Sequence, residues 1–146
     1  MDTDLTNKLK MGLHEITGQD QATAFLNQSG TDSARYFYQY YNSLLVGKEL
    51  EKAEIAKRSG ISTNYLYNIL NGNRLHPGRD KIIALCIAAE LTLDETQQCL
   101  KIGRQPTLYE RDERDVRIAA CINQGIHETL KVNLLLDDYG LPPIEV

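Results

Sequence analysis

The sequence predicts an all-α fold, and three observations predict it. Apolar residues recur every three or four positions along most of the chain, the spacing of a helix face. No segment sustains the apolar-polar alternation of a strand. The breaks between periodic segments are short and carry the Gly, Asn and Pro residues that stop helices. About seven helices joined by short connections follow from these breaks, and 146 residues suffice to bury a core without staples.

The elements follow in order. Leu5, Leu9, Leu13 and Ile16 place one apolar face on a helix through the first sixteen residues, ending near Gly18. The polar stretch Thr17 to Asp32 reads as a short helix around Phe25-Leu26 or as a flexible connection. Ser33 to Val46 predicts a helix ending before Gly47, with Tyr36-Phe37, Tyr40-Tyr41 and Leu44-Leu45 forming a stripe suited to core packing rather than base stacking. Residues 51 to 59 and 62 to 70 predict two short helices separated by Gly60-Ile61, and Asn71-Gly72 stops the second. Pro77 precedes a helix over Arg79 to Ala89, where a missing amide costs nothing. Thr92 and Glu95 match a capping box opening a helix that ends near Gly103. Glu110 to Gln124 and Ile126 to Asp138 form a last pair, stopped by Gly140 and Pro142-Pro143. Ile83-Ala84-Leu85-Cys86-Ile87 and Ile118-Ala119-Ala120-Cys121-Ile122 look like two copies of one helical hairpin. The expected divisions are an N-terminal helical extension (1–32), a central domain (33–103) and a C-terminal helical pair (104–146), packed on the core or dimerising.

Composition narrows the class. The mean hydropathy of −0.39 and the lack of any apolar run near the roughly 20 residues of a bilayer span predict a soluble chain with no membrane partner. The start, MDTDLTNKLK, lacks the basic and apolar regions of a signal peptide, so a cytoplasmic location is expected. Cys86, Cys99 and Cys121 sit in apolar helical patterns and read as reduced core residues. His14, His76 and His127 have no ligand partner at a metal-binding spacing, so no metal and no cofactor are expected. Nothing predicts catalysis: no nucleophile with a neighbouring base and no phosphate-cradling loop is present. The net charge of −4 is unevenly spread. Residues 1–47 carry −2 and residues 82–146 carry −5, whereas residues 48–81, with seven basic and four acidic side chains, carry +3.

That positive segment contains the short helix pair. Ile55 and Ala56 supply an anchor and a small residue where the helices cross, Gly60 the turn, Ile61 its plug, and Leu66 and Ile69 the anchors of the second helix. Ser62, Thr63, Asn64, Tyr67, Asn68 and Asn71 are left facing out. Residues 53 to 74, Ala-Glu-Ile-Ala-Lys-Arg-Ser-Gly-Ile-Ser-Thr-Asn-Tyr-Leu-Tyr-Asn-Ile-Leu-Asn-Gly-Asn-Arg, resemble the helix-turn-helix of the lambda-repressor-like, or Cro/C1 (XRE), family. Gly72, Arg74, Pro77 and the Leu91 to Glu95 turn follow in that family's order, so the resemblance covers about residues 35 to 102. Tyr65-Leu66-Tyr67, Arg79-Asp80-Lys81 and Gly140-Leu141-Pro142-Pro143 are loosely similar to bacterial regulators with an extra C-terminal helical pair.

The resemblance implies a sequence-specific regulator of bacterial or phage type whose partner is double-stranded DNA. Thr63, Asn64, Tyr67 and Asn68 would contact bases, Asn favouring adenine. Lys52, Lys57, Arg58, Ser62, Asn71, Asn73, Arg74, His76 and Arg79 would contact the phosphate backbone. Tyr65 and Leu70 are expected to pack. Residues 62 to 71 carry no charge where the family usually has Arg, Lys or Gln, and the Gly72 to Pro77 loop is one residue longer than usual. Modest affinity per monomer then makes a homodimer on a two-fold operator the expectation. The C-terminal helices could engage a protein partner, and Arg79, Asp80, Arg114 and Asp115 could instead couple them to the central domain by ion pairs. The alternative is a protein-interaction adaptor or inhibitor on the same fold, with no DNA binding.

Overall fold

A computed structural model of the protein describes residues 13–30 and 34–146, and all regular structure among them is helical. The chain divides into two compact units, Met1–Ala34 and Arg35–Val146. In the first, α1 (Gln19–Gly30) runs for 12 residues. Both the backbone N–H and the hydroxyl of Thr17 donate to Gln21 Oε1, at 2.9 and 3.1 Å, fixing the helix start. Gln19–Gly30 of the polar stretch is thus helical, a longer helix than the short one around Phe25-Leu26 that the sequence suggests as one of two readings. The helix expected over residues 1–16 lies outside the described residues except for residues 13–16, of which Leu13, His14 and Glu15 are helical and Ile16 is not.

The second unit contains α2 (Phe37–Leu45), α3 (Lys52–Ser59), α4 (Thr63–Leu70), α5 (Arg79–Ala88), α6 (Leu93–Ile102), α7 (Glu113–Gln124) and α8 (Thr129–Asp138). These seven and α1 make eight labelled helices among the described residues, against about seven expected. Three helices start later than periodicity predicts, each for a local reason. At α2, the Gln39 side chain accepts from the N–H groups of Arg35 and Tyr36 at 2.9 and 3.2 Å, which closes the helix at Tyr36. At α7, Asp112 accepts from the Asp115 N–H at 2.9 Å as N-cap. At α8, Ile126 cannot begin a helix because its N–H closes the end of α7 on Cys121 O at 3.1 Å.

That closure recurs at five consecutive helix ends. A left-handed residue, Gly72, Glu90, Arg104, Gly125 or Gly140, is followed by one whose N–H reaches five residues back, as in Leu91 to Cys86 and Gln105 to Leu100. The two hairpins that look alike in sequence end their first helices by this same bond. Glu90 and Arg104 adopt φ of 59° despite carrying a Cβ. Arg104 is exposed and its side chain has no partner among the described residues. Arg104→Gly is therefore expected to stabilise the protein by about 0.5 kcal/mol, read from the midpoint of urea unfolding.

The core centres on α5, whose residues from Ile82 to Ala88 are all buried. It packs against α3, α6 and α8. The stripe on α2 is core: Phe37 and Tyr41 are fully buried with ring centroids 5.1 Å apart, and the Tyr41 hydroxyl donates to Leu85 O at 2.7 Å. Cys86, Cys99 and Cys121 are buried and unpaired, and burial pushes the Cys86 and Cys121 thiols up. α7 and α8 belong to the same compact unit as α2 to α6. Arg79 binds Asp115 at 2.8 Å and Arg114 binds Asp80 at 3.0 Å, tying the start of α5 to α7 as the ion-pair alternative expects. No described helix is long and apolar enough to cross a membrane.

Candidate nucleic-acid interface

The α3–α4 pair owes its geometry to its turn. Gly60 closes α3 with φ of 81°, its N–H donating to Ala56 O at 2.9 Å. The buried Ser59 hydroxyl braces the same turn, donating to Ala56 O and accepting from the Ile61 N–H at 3.2 and 3.1 Å. Ser62 caps α4 by accepting from the Tyr65 N–H at 3.2 Å. Ile55, Leu66 and Ile69 are fully buried, and Ile61 nearly so. Asn42 on α2 holds the far end of α4 by donating to Leu70 O at 3.0 Å.

With its apolar side anchored, α4 leaves Thr63, Asn64 and Tyr67 exposed and Asn68 half-buried. The Asn64 amide is without a partner among the described residues. Asn68 is less free, because its Oδ1 accepts from the Asn73 side chain at 3.4 Å. Ser62 and Asn71 flank the face, Ser62 as the N-cap and Asn71 as the exposed C-cap residue.

Cations reach this neutral helix from neighbouring elements. Lys52 at the start of α3 lies 5.2 Å from the Tyr67 ring centroid. The Tyr65 ring has two cations over it, Arg74 at 4.8 Å and Lys81 at 5.1 Å. Tyr65 was expected only to pack; it is half-buried and positions two basic side chains. Lys81 escaped sequence reasoning because it sits on α5, and only the fold brings it to Tyr65. His76 meets the Tyr36 ring edge-on at 6.1 Å, and Tyr36 stacks on Tyr38 at 6.3 Å.

Other expected backbone contacts lie elsewhere. Arg58 is engaged by Glu54 at 3.3 Å, Glu90 at 2.8 Å and Ala88 O at 3.3 Å. The Glu90 carboxylate, and after it that of Glu54, holds its pKa above the usual guanidinium value, and Arg58 in turn holds Glu90 below the usual carboxylate range. Arg79 is committed to Asp115, Pro106 O and Thr107 O. Both guanidiniums thus tie elements of the fold together through part of their donors. Lys57 lines a cleft against α8, since five residues of helix turn it well away from Lys52. Among the described residues no group of His, Cys, Asp or Glu could hold a metal ion. Comparison of the chain with protein-family models, with curated proteins and with solved structures finds no match.

Proposed function

We propose that α3 and α4 are a helix-turn-helix of the lambda-repressor-like kind that docks α4 in the major groove of double-stranded DNA. The chain then acts as a sequence-specific transcriptional regulator, as a homodimer on a two-fold site. One observation carries the reading: an exposed neutral face of Thr63, Asn64 and Tyr67 bordered by Lys52, Arg74 and Lys81. Amides and hydroxyls that can pair with base edges are flanked by cations that can hold phosphates. Lys81 joins Lys52 and Arg74 in the set of backbone contacts.

Binding to fragments of the source genome tests it. Affinity should fall steeply with salt, by a log-log slope of about 0.9 for every phosphate neutralised. Asn64→Ala should cost roughly 1 to 3 kcal/mol at one base pair and relax specificity there, whereas Arg74→Ala should weaken all sequences alike and flatten the salt slope. Equal effects of the two substitutions on every site would contradict these roles. A second reading, an adaptor or inhibitor that binds protein through this fold, draws on the absence of charge in residues 62–71 and on the internal pairing of Arg58 and Arg79. Salt-independent or absent DNA binding would favour it.

A further inference from the structure

The segment that follows α8, residues 142–146, belongs to no helix, and among the described residues its main chain is held by side chains alone. From α7, Arg114 donates to Pro142 O through Nε and to Pro143 O through Nη2, both at 2.9 Å. From α8, Asn133 takes both main-chain groups of Ile144, accepting its N–H at 2.7 Å and donating to its O at 3.1 Å. From α5, Asp80 accepts the Glu145 N–H at 2.9 Å and Lys81 donates to Val146 O at 3.3 Å. Asp80 and Arg114 are themselves paired at 3.0 Å, so each fixes the other against the segment. Ile144 is the anchor: it is 2% exposed and packs in the hydrophobic core, whereas Pro142, Pro143, Glu145 and Val146 are exposed.

A segment built into a fold is ordinarily tied in by the main-chain bonds of a helix, sheet or turn. This one is held as a bound extended peptide is, by polar side chains along its main chain and one apolar socket. Two features lower the cost of seating it. Each proline fixes its own φ and keeps the residue before it extended, so Leu141 to Pro143 is shaped before it binds. The link to α8 is also open: Gly140 is left-handed with φ of 68°, and beyond its chain neighbours no atom lies within 4 Å of where a Cβ would stand. None of the bonds to residues 142–146 depends on that link. We infer that the groove between α5, α7 and α8 is a peptide-binding site that takes an extended Pro-Pro-aliphatic-acidic segment from another chain, namely residues 142–146 of a second copy of this protein. A second copy is the occupant because the donors, acceptors and socket of the groove already match this sequence atom by atom. The site stands apart from DNA binding, and only its use in a homodimer rests on the function proposed above.

Variants of the whole chain separate groove from ligand. Ile144→Asp spoils the anchor and leaves the groove vacant, whereas Asn133→Leu keeps the segment and removes both bonds to Ile144. An acetylated Leu-Pro-Pro-Ile-Glu-Val peptide, titrated into Ile144→Asp, is expected to shift the Asn133 side-chain amide and the backbone amides of Asp80, Lys81 and Arg114 saturably in NMR spectra. The double variant Asn133→Leu/Ile144→Asp should bind it about tenfold more weakly or worse. The unaltered chain should also bind it more weakly, because its own segment competes at high effective concentration. Mixed together, Ile144→Asp and Asn133→Leu should form a heterodimer by light scattering, since one offers a vacant groove and the other an unseated segment. Glu145→Pro, which removes the N–H that Asp80 accepts and spares the anchor, takes the place of Ile144→Asp if that variant loses the folded spectrum. No saturable shift, undiminished binding by the double variant, or a mixture that associates no more than its components would each overturn the inference. Equal dimerisation of each variant alone and of the mixture would put the homodimer on another surface and leave that reading standing. No DNA is present, so the outcome is independent of the helix-turn-helix reading.

Discussion

Asp115→Ala is expected to lower the stability of the folded chain by about 3 kcal/mol, the cost of stranding a mostly buried charge. Asp115 is 5% exposed on α7 and accepts from both terminal nitrogens of Arg79, at 3.2 and 2.8 Å, and from the Tyr109 N–H at 2.9 Å. Removing the carboxylate leaves Arg79, whose side chain is 23% exposed, facing an apolar gap. Its remaining bonds to Pro106 O and Thr107 O hold it there, so it cannot swing fully into water. Urea unfolding of Asp115→Ala, Arg79→Ala and the double variant at neutral pH checks this. The double variant should be less damaged than the two losses added together, because most of each loss is the penalty of the partner left behind. A loss below about 1 kcal/mol in the single variant would mean that water replaces the carboxylate and that the bridge is a surface pair in effect.

Leu66→Ala is expected to cost about 3 kcal/mol as well, by a different mechanism. Leu66 is fully buried and is the first anchor on the inner side of α4. Truncation forfeits its apolar burial and leaves a cavity that the fixed ends of α4, held by Ser62 at one end and Asn42 at the other, cannot collapse to fill. Tyr67→Ala, one position on and 43% exposed, should change stability by less than about 0.5 kcal/mol. Thermal or urea unfolding of the pair separates the two faces of α4. If Tyr67→Ala proved the more damaging, the inner and outer assignments of the helix would be reversed.

Much of the fold was legible because its signals are local. Gly60, Ser62, Asn71-Gly72 and the Thr92 to Glu95 box mark helix ends by backbone and side-chain bonds spanning five residues or fewer, and each stands where the spacing predicts. The bounds of α2, α7 and α8 were misjudged where a competing local bond, from Gln39, from Asp112 or from the Ile126 amide, overruled apolar periodicity. Left-handed Glu90 and Arg104 carry no sequence signal at all, since neither residue favours that conformation.

The candidate interface was legible in half. Thr63, Asn64 and Tyr67 face outward as helical spacing requires once Leu66 and Ile69 face in. Which cations join them was not legible, because an isolated Arg or Lys carries no record of its partner.

By itself, the sequence determined an all-helical chain, the short helix pair of residues 52 to 70, its neutral outer side and the turn chemistry between its helices. All of these rest on interactions within a few residues. The tertiary structure alone decided that Arg58 and Arg79 are tied to Glu90 and Asp115 and that Lys81 joins Arg74 over Tyr65. These outcomes pair groups far apart in the chain. Only the packing of α3, α6 and α8 against α5, with α7 laid against α6 and α8, brings such groups within bonding range.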